Sequence, residues 1–216
     1  LMDSFILVGT TTEEILYFYK YNDHYTDNIQ NELNKEFNNI TEYGINLINN
    51  FYLKDDIRQN VNDFGNDYAF NYPAKRTINY YLNNKATVYR YLFSYDGGHN
   101  YIKVRDNLTD AGASHGDELG YLFDMYMPDT ERDTADQFVT DAMTTLWTNF
   151  AKYGDPTPKV TELVPVKWPA VEQNHEYYLN INSSLSVQEG LYTKRMAFWD
   201  RFYQNFGYLS KGFHYG

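Results

Sequence analysis

The sequence predicts an α/β fold, on three observations. Phe5-Ile6-Leu7-Val8 is a continuous apolar run ended by Gly9, the pattern of a parallel strand buried on both faces. Thr87 to Tyr95 is dense in β-branched and aromatic residues, follows Asn83-Asn84 and precedes Asp96-Gly97-Gly98, and reads as a second strand. The residues between them carry helical periodicity, so the two strands need a crossover connection and belong to one sheet with helices packed on it.

The elements follow in order. A strand that is apolar on both faces needs a neighbour on each side, so a chain opening on Phe5 is expected to start mid-fold. Thr12 to Lys20 reads as a short helix with hydroxyl residues at its start. Residues 22 to 84 are rich in Asn, Asp, Lys and Tyr, yet Ile29, Leu33 and Phe37, then Ile57, Val61, Phe64, Tyr68 and Ala69, recur at helical spacing. They predict amphipathic helices joined by polar turns, with Pro73 suited to a first turn. Residues 134 to 153 form the clearest helix, with Ala135, Phe138, Val139, Ala142, Met143, Leu146, Trp147 and Phe150 in one apolar stripe. Thr134 with Gln137 suits a capping box there, and Gly154 and Pro156 end it. A last helix is predicted from Ser186-Val187-Gln188-Glu189, a second capping box, with Tyr192, Met196, Trp199 and Tyr203 on one side before Gly207. With no internal repeat and no low-complexity linker, residues 1 to 216 read as one domain or one piece of one.

Composition narrows the function classes. The 216 residues are 43% hydrophobic, and 23 Tyr, 14 Phe and 3 Trp make that content unusually aromatic. Tyr brings a polar tip, so it can line a core edge or a pocket without leaving an unpaired group. The net charge of −11 and the absence of a basic run exclude nucleic-acid phosphates as a partner and disfavour anionic lipid. With no cysteine, this chain holds no disulfide, thiolate nucleophile or Cys-based zinc site. No apolar run approaches the ~20 residues of a membrane span, and Leu1-Met2-Asp3-Ser4 does not read as a secretory leader. Sequons at Asn39-Ile40-Thr41, Asn107-Leu108-Thr109 and Asn182-Ser183-Ser184 weigh towards a secreted glycoprotein over a cytoplasmic protein.

The chemistry concentrates in Gly112-Ala113-Ser114-His115-Gly116-Asp117-Glu118-Leu119, a loop between the polar run 106 to 110 and the apolar Tyr121-Leu122-Phe123. A histidine flanked by small residues has an open approach, which suits an imidazole that moves a proton. Gly112 to Gly116 also matches G-x-S-x-G, but an elbow serine follows a buried strand directly, and Arg105-Asp106-Asn107 upstream is polar. Ser114 therefore reads as a small residue that lets the loop pack. Asp117 and Glu118 are adjacent acids that could be read as acids in their own right. His24, His99, His175 and His214 lack metal-ligand spacing, and the Asn/Asp-rich segment holds no calcium loop.

Five landmarks in order make the chain similar to the C-terminal portion of type-B carboxylesterases, the carboxylesterase/cholinesterase family. Ile6-Leu7-Val8-Gly9-Thr10-Thr11-Thr12-Glu13-Glu14 resembles the strand and turn bearing that family's acidic triad member, although Ile15 stands where the family usually has Gly. Gly112 to Leu119 resembles its histidine loop. Trp147-Thr148-Asn149-Phe150-Ala151-Lys152-Tyr153-Gly154-Asp155-Pro156, Lys167-Trp168-Pro169 and Phe198-Trp199-Asp200-Arg201-Phe202 resemble the landmarks that follow, and Phe93-Ser94-Tyr95-Asp96-Gly97-Gly98 looks most like insect esterases. The resemblance implies the last sheet strands and crossover helices of an α/β-hydrolase, with residues 1 to 216 as the C-terminal portion of one domain. It implies Glu14 and His115 as two members of a Ser-His-Glu triad that cleaves a small carboxylic ester, with no metal or organic cofactor. The nucleophile and oxyanion donors are then expected in the N-terminal part of the same protein, and this chain alone is expected to be inactive. The same family includes non-catalytic adhesion and binding proteins, the alternative reading, and juvenile-hormone esterases, a narrower one.

Overall fold

The computed structural model describes residues 4–19, 25–53, 57–127 and 131–211. The chain forms two compact units, one of Leu1–Tyr17 with Ala74–Leu191 and one of Phe18–Pro73 with Tyr192–Gly216.

The first unit is built on four strands: β1 (Phe5–Thr11), β2 (Thr87–Phe93), β3 (Tyr177–Ile181) and β4 (Leu185–Glu189). Their spatial order is β1-β2-β3-β4, with β1 and β3 parallel to β2 and β4 antiparallel to β3. The expected parallel pair is present, in register Phe5↔Thr87 through Thr11↔Phe93. Among the described residues β1 has a partner on one side only, and Phe5 is 44% exposed.

Alternation along β2 decides what each face meets. Tyr89, Tyr91 and Phe93 point to the face covered by Val139, Ala142, Met143 and Leu146 of a long helix. Val88 points to the other face, where it meets Ile78. Helices therefore cover both faces of the sheet, as an α/β fold requires. Gly9 lies beside β2 where a Cβ would come within 1.9 Å of the Tyr91 ring, so the close approach of that ring needs a glycine.

The helices are α1 (Leu16–Tyr19), α2 (Tyr25–Glu36), α3 (Glu42–Tyr52), α4 (Ile57–Asn66), α5 (Tyr72–Asn83), α6 (Tyr101–Asp106), α7 (Leu119–Leu122), α8 (Thr134–Tyr153) and α9 (Thr193–Phe206). α8 has the bounds that periodicity predicts, and Gly154 ends it at φ +68°. Its cap differs from the expected Thr134: the Asp133 carboxylate accepts from Asp136 N–H at 2.7 Å.

Two further expectations fail for physical reasons. Ser186 to Glu189 is strand, not helix, and α9 begins only at Thr193. The S-x-x-E pattern is compatible with a cap, but here its backbone is paired along β3 from Tyr177↔Glu189 to Ile181↔Leu185. The helical face read through Tyr68 and Ala69 also shifts. Between α4 and α5 the residues Asp67–Asn71 form a π-turn. This wider turn buries Asp67 and Asn71 and leaves Ala69 exposed.

The second unit is helical, and Trp199 lies fully buried in its core with Tyr52, Phe64 and Phe202. Asp67, fully buried, accepts from Tyr52 Oη at 2.8 Å and from Asn71 Nδ2 at 3.0 Å, and pairs with Arg195 Nε at 2.8 Å. Burial raises its carboxyl to about 6, against the pull of Arg195.

Candidate active site

Two loops meet beyond the carboxyl ends of β1 and β2, the end at which open α/β sheets carry their sites. Glu13 N–H donates to Ala113 O at 2.8 Å, and Ala113 N–H donates to Thr12 Oγ1 at 2.9 Å. Glu13 and Ser114 form a parallel bridge. The end of β1 is thereby fastened along the histidine loop, which brings together residues 101 positions apart in sequence.

Glu14 is 3% exposed and both its oxygens are engaged. Oε1 accepts from Thr11 N–H at 2.6 Å, and Oε2 lies 2.7 Å from His115 Nδ1. A carboxylate can only accept, so Nδ1 carries the proton and Nε2 is the ring atom left for proton exchange. The His115 side chain is 52% exposed, in contrast to its buried partner. The bond to Glu14 holds the imidazole pKa above the ordinary histidine value, against the opposing effect of partial burial. Tyr17 stacks on the His115 ring, with centroids 6.4 Å apart and planes at 22°. Nothing in the sequence pattern signals that contact.

The loop is held from behind. Gly112 adopts φ +96°, its N–H donates to Asp96 at 3.0 Å, and its carbonyl accepts from Lys103 Nζ at 3.0 Å. Asp117 is fully buried and accepts from Lys103 N–H at 2.9 Å, from Asn100 Nδ2 at 3.2 Å and from Ser114 N–H. It braces the turn around His115 and is not the carboxylate at Nδ1. Burial raises it to about 6. Burial also raises Glu118, to about 7, with the negative charge of Glu14 adding to the effect. Glu118 Oε2 is buried and has no hydrogen-bond partner among the described residues.

The remaining candidates fall outside this pair. Ser114 is fully buried and fastened beside β1, so its hydroxyl is not presented as an elbow nucleophile would be. His99 is a buried core residue with Asp136 at 3.1 Å, and His175 is exposed beside Glu189 at 3.0 Å. His24 and His214 lie outside the described residues. Among the described residues no group of three or more His, Asp or Glu gathers as a metal site would.

A sequence model of the carboxylesterase family matches residues 2–199. The chain belongs to the carboxylesterase family. This carboxylesterase-family chain is 29% identical to carboxylesterase 4A of Bos taurus over 77% of its own length and 30% of that relative's. It is 30% identical to bile salt-activated lipase of Rattus norvegicus, over 68% of its length and 24% of that relative's. It is 26% identical to neuroligin-2 of Homo sapiens, over 62% of its length and 17% of that relative's. The matched chain thus spans less than a third of each of these three curated relatives. The four-stranded mixed sheet with helices on both faces is a partial α/β-hydrolase fold, in keeping with the family.

Proposed function

We propose that this chain supplies Glu14 and His115 to a Ser-His-Glu triad that hydrolyses small carboxylic esters. In this reading residues 1 to 216 are the C-terminal portion of one α/β-hydrolase domain, and the nucleophile and oxyanion donors come from elsewhere in the polypeptide. The observation that carries it is the 2.7 Å contact between a buried carboxylate and a half-exposed imidazole beyond two parallel strands.

That geometry supports the following chemistry. His115 Nε2 takes the serine proton as the hydroxyl oxygen attacks the ester carbonyl, whose π electrons move onto oxygen. When that tetrahedral intermediate collapses, the bond to the leaving alkoxide breaks and His115 returns the proton to it, leaving an acyl-enzyme. Water repeats the sequence and releases the acid. Glu14 fixes the tautomer with the proton on Nδ1 and stabilises the imidazolium of each step, without itself taking the proton.

The test is turnover of a short-chain aryl ester by the intact polypeptide. His115→Ala should abolish it, and Glu14→Gln should reduce kcat by about 10⁴, the scale of the equivalent change in serine-protease triads. Covalent labelling by an organophosphate should accompany activity. Intact protein that neither turns over the ester nor takes the label would favour the non-catalytic binding alternative. If the polypeptide is secreted, Asn39 and Asn107 are the sequons suited to a glycan, since both are exposed. The Asn182 amide instead donates to Ser94 at 3.0 Å and 3.2 Å.

A further inference from the structure

A buried polar network runs from the first turn of α8 to the residue before His115. Asp136, 2% exposed, lies within hydrogen-bond reach of three groups: His99 Nδ1 at 3.1 Å, Tyr95 Oη at 3.1 Å and Tyr121 Oη at 3.1 Å. The Tyr121 hydroxyl accepts from His99 N–H at 3.2 Å and lies 2.9 Å from Asn100 Oδ1. Its one proton serves either Asp136 or Asn100; because Tyr95 can supply Asp136, the shorter contact to Asn100 is free to form.

Asn100 is the junction. It is fully buried, and its amide makes four hydrogen bonds. Oδ1 accepts from Gly97 N–H at 3.1 Å and from Tyr121. Nδ2 donates to Tyr95 O at 3.0 Å and to Asp117 Oδ2 at 3.2 Å. Four satisfied positions fix which way the amide faces, and Asp117 Oδ2, which it meets, is the same oxygen that accepts from Ser114 N–H. Packing leaves little slack: a Cβ on Gly97 would come within 2.6 Å of Tyr121 Oη and 2.5 Å of Asp136 Oδ1. None of these groups touches the Glu14–His115 pair in the contacts above, so the triad chemistry does not account for them.

We propose that Asn100 is a positioning residue for His115, held by Tyr121 and Asp136 and acting through the Asp117–Ser114 turn. The inference rests on the esterase reading for its kinetic consequence but not for its structural one. In a low-dielectric interior a fully satisfied network of this kind is stiff, and one unmade bond exposes its neighbours to the cost of an unpaired group. Losing the Asn100 donor would let the Asp117 carboxylate turn, relax the Ser114 amide and allow His115 to drift from Glu14.

Two neutral, nearly isosteric substitutions test this in the intact polypeptide. Asn100→Leu removes all four bonds; Tyr121→Phe removes only the hydroxyl that orients the amide. Ester turnover and ring-labelled histidine NMR are measured on each. The expected result for Asn100→Leu is a fall in kcat of about tenfold or more, the scale of a small misplacement, with KM within about twofold. The His115 titration midpoint should move down, away from its raised value, and Tyr121→Phe should show the same changes to a smaller degree. Folded variants with wild-type kcat and a wild-type His115 titration would overturn the proposal and leave the network a purely structural one. If Asn100→Leu does not fold, Tyr121→Phe decides by the same readouts. If the wild type has no esterase activity, the triad reading fails separately, and the His115 titration still decides whether Asn100 positions the ring.

Discussion

At the scale of single residues, the proposed triad chemistry depends on the division of exposure between Glu14 and His115. A buried acid whose oxygens are both engaged cannot swing to a new partner, while a half-exposed imidazole can meet one. Because the bond to Glu14 raises the His115 pKa, the neutral base is lost earlier as pH falls. The acid limb of kcat/KM should therefore lie above the ordinary histidine value of about 6.5. In Glu14→Gln the limb should move to lower pH as well as the maximum falling, because the charge that favours imidazolium is gone. An acid limb unmoved by that substitution would mean another group titrates. The candidacy of His115 was legible because its signal is a contiguous run of residues. That of Glu14 was legible through the resemblance of residues 6 to 14 to the family's strand and turn, since Glu13 stands beside it. Tyr17 and Asn100 were not: their partners lie far along the chain, and no local pattern marks which aromatic or amide will meet a given loop.

At the scale of elements, legibility followed length and partnership. Helix α8 was readable because twenty residues repeat one face. β1 and β2 were readable because apolar and β-branched residues crowd them. β3 and β4 were not: each is five residues long, with polar residues interspersed, and they form a hairpin whose pairing rather than composition makes them strands. The π-turn was equally hidden, since one added residue in a helical turn leaves no mark until the buried face is known. The short α7 has its own constraint. A Cβ on Gly120 would come within 2.0 Å of the His99 carbonyl oxygen, an atom of the backbone that cannot swing aside. Gly120→Ala should therefore destabilise by about 3 kcal/mol, the upper part of the range for overpacking. Urea unfolding reads this directly, and a midpoint unchanged from wild type would show that α7 can back away from residue 99.

At the scale of the whole molecule, the aromatic composition resolves into structure: buried tyrosines carry polar contacts inward. Tyr52 reaches Asp67 in the helical unit, and Tyr95 and Tyr121 reach Asp136 in the sheet unit. The cost of such interiors is carried by buried carboxyls, and it gives the molecule a pH dependence. Asp67 and Asp117 are raised from 3.8 to about 6, and Glu118 from 4.5 to about 7, chiefly by burial. Below the lower values both folded and unfolded chains hold these protons. Between the lower and upper values only the folded chain holds them, so their contribution favours folding at the acid side and is lost as pH rises through the window. Glu118 shows the effect most strongly, because burial outweighs its own backbone N–H and the nearby His115 charge, and its Oε2 has no hydrogen-bond partner among the described residues. Glu118→Gln keeps the shape of the protonated acid and cannot ionise. The melting temperature of this variant should stay close to that of the wild type at pH 4.5, gain on it as pH climbs to about 7, and hold a constant lead above that. A difference that does not change with pH would mean that the Glu118 carboxylate finds solvent or a partner when it ionises, and that its burial beside Glu14 is not what sets its proton affinity.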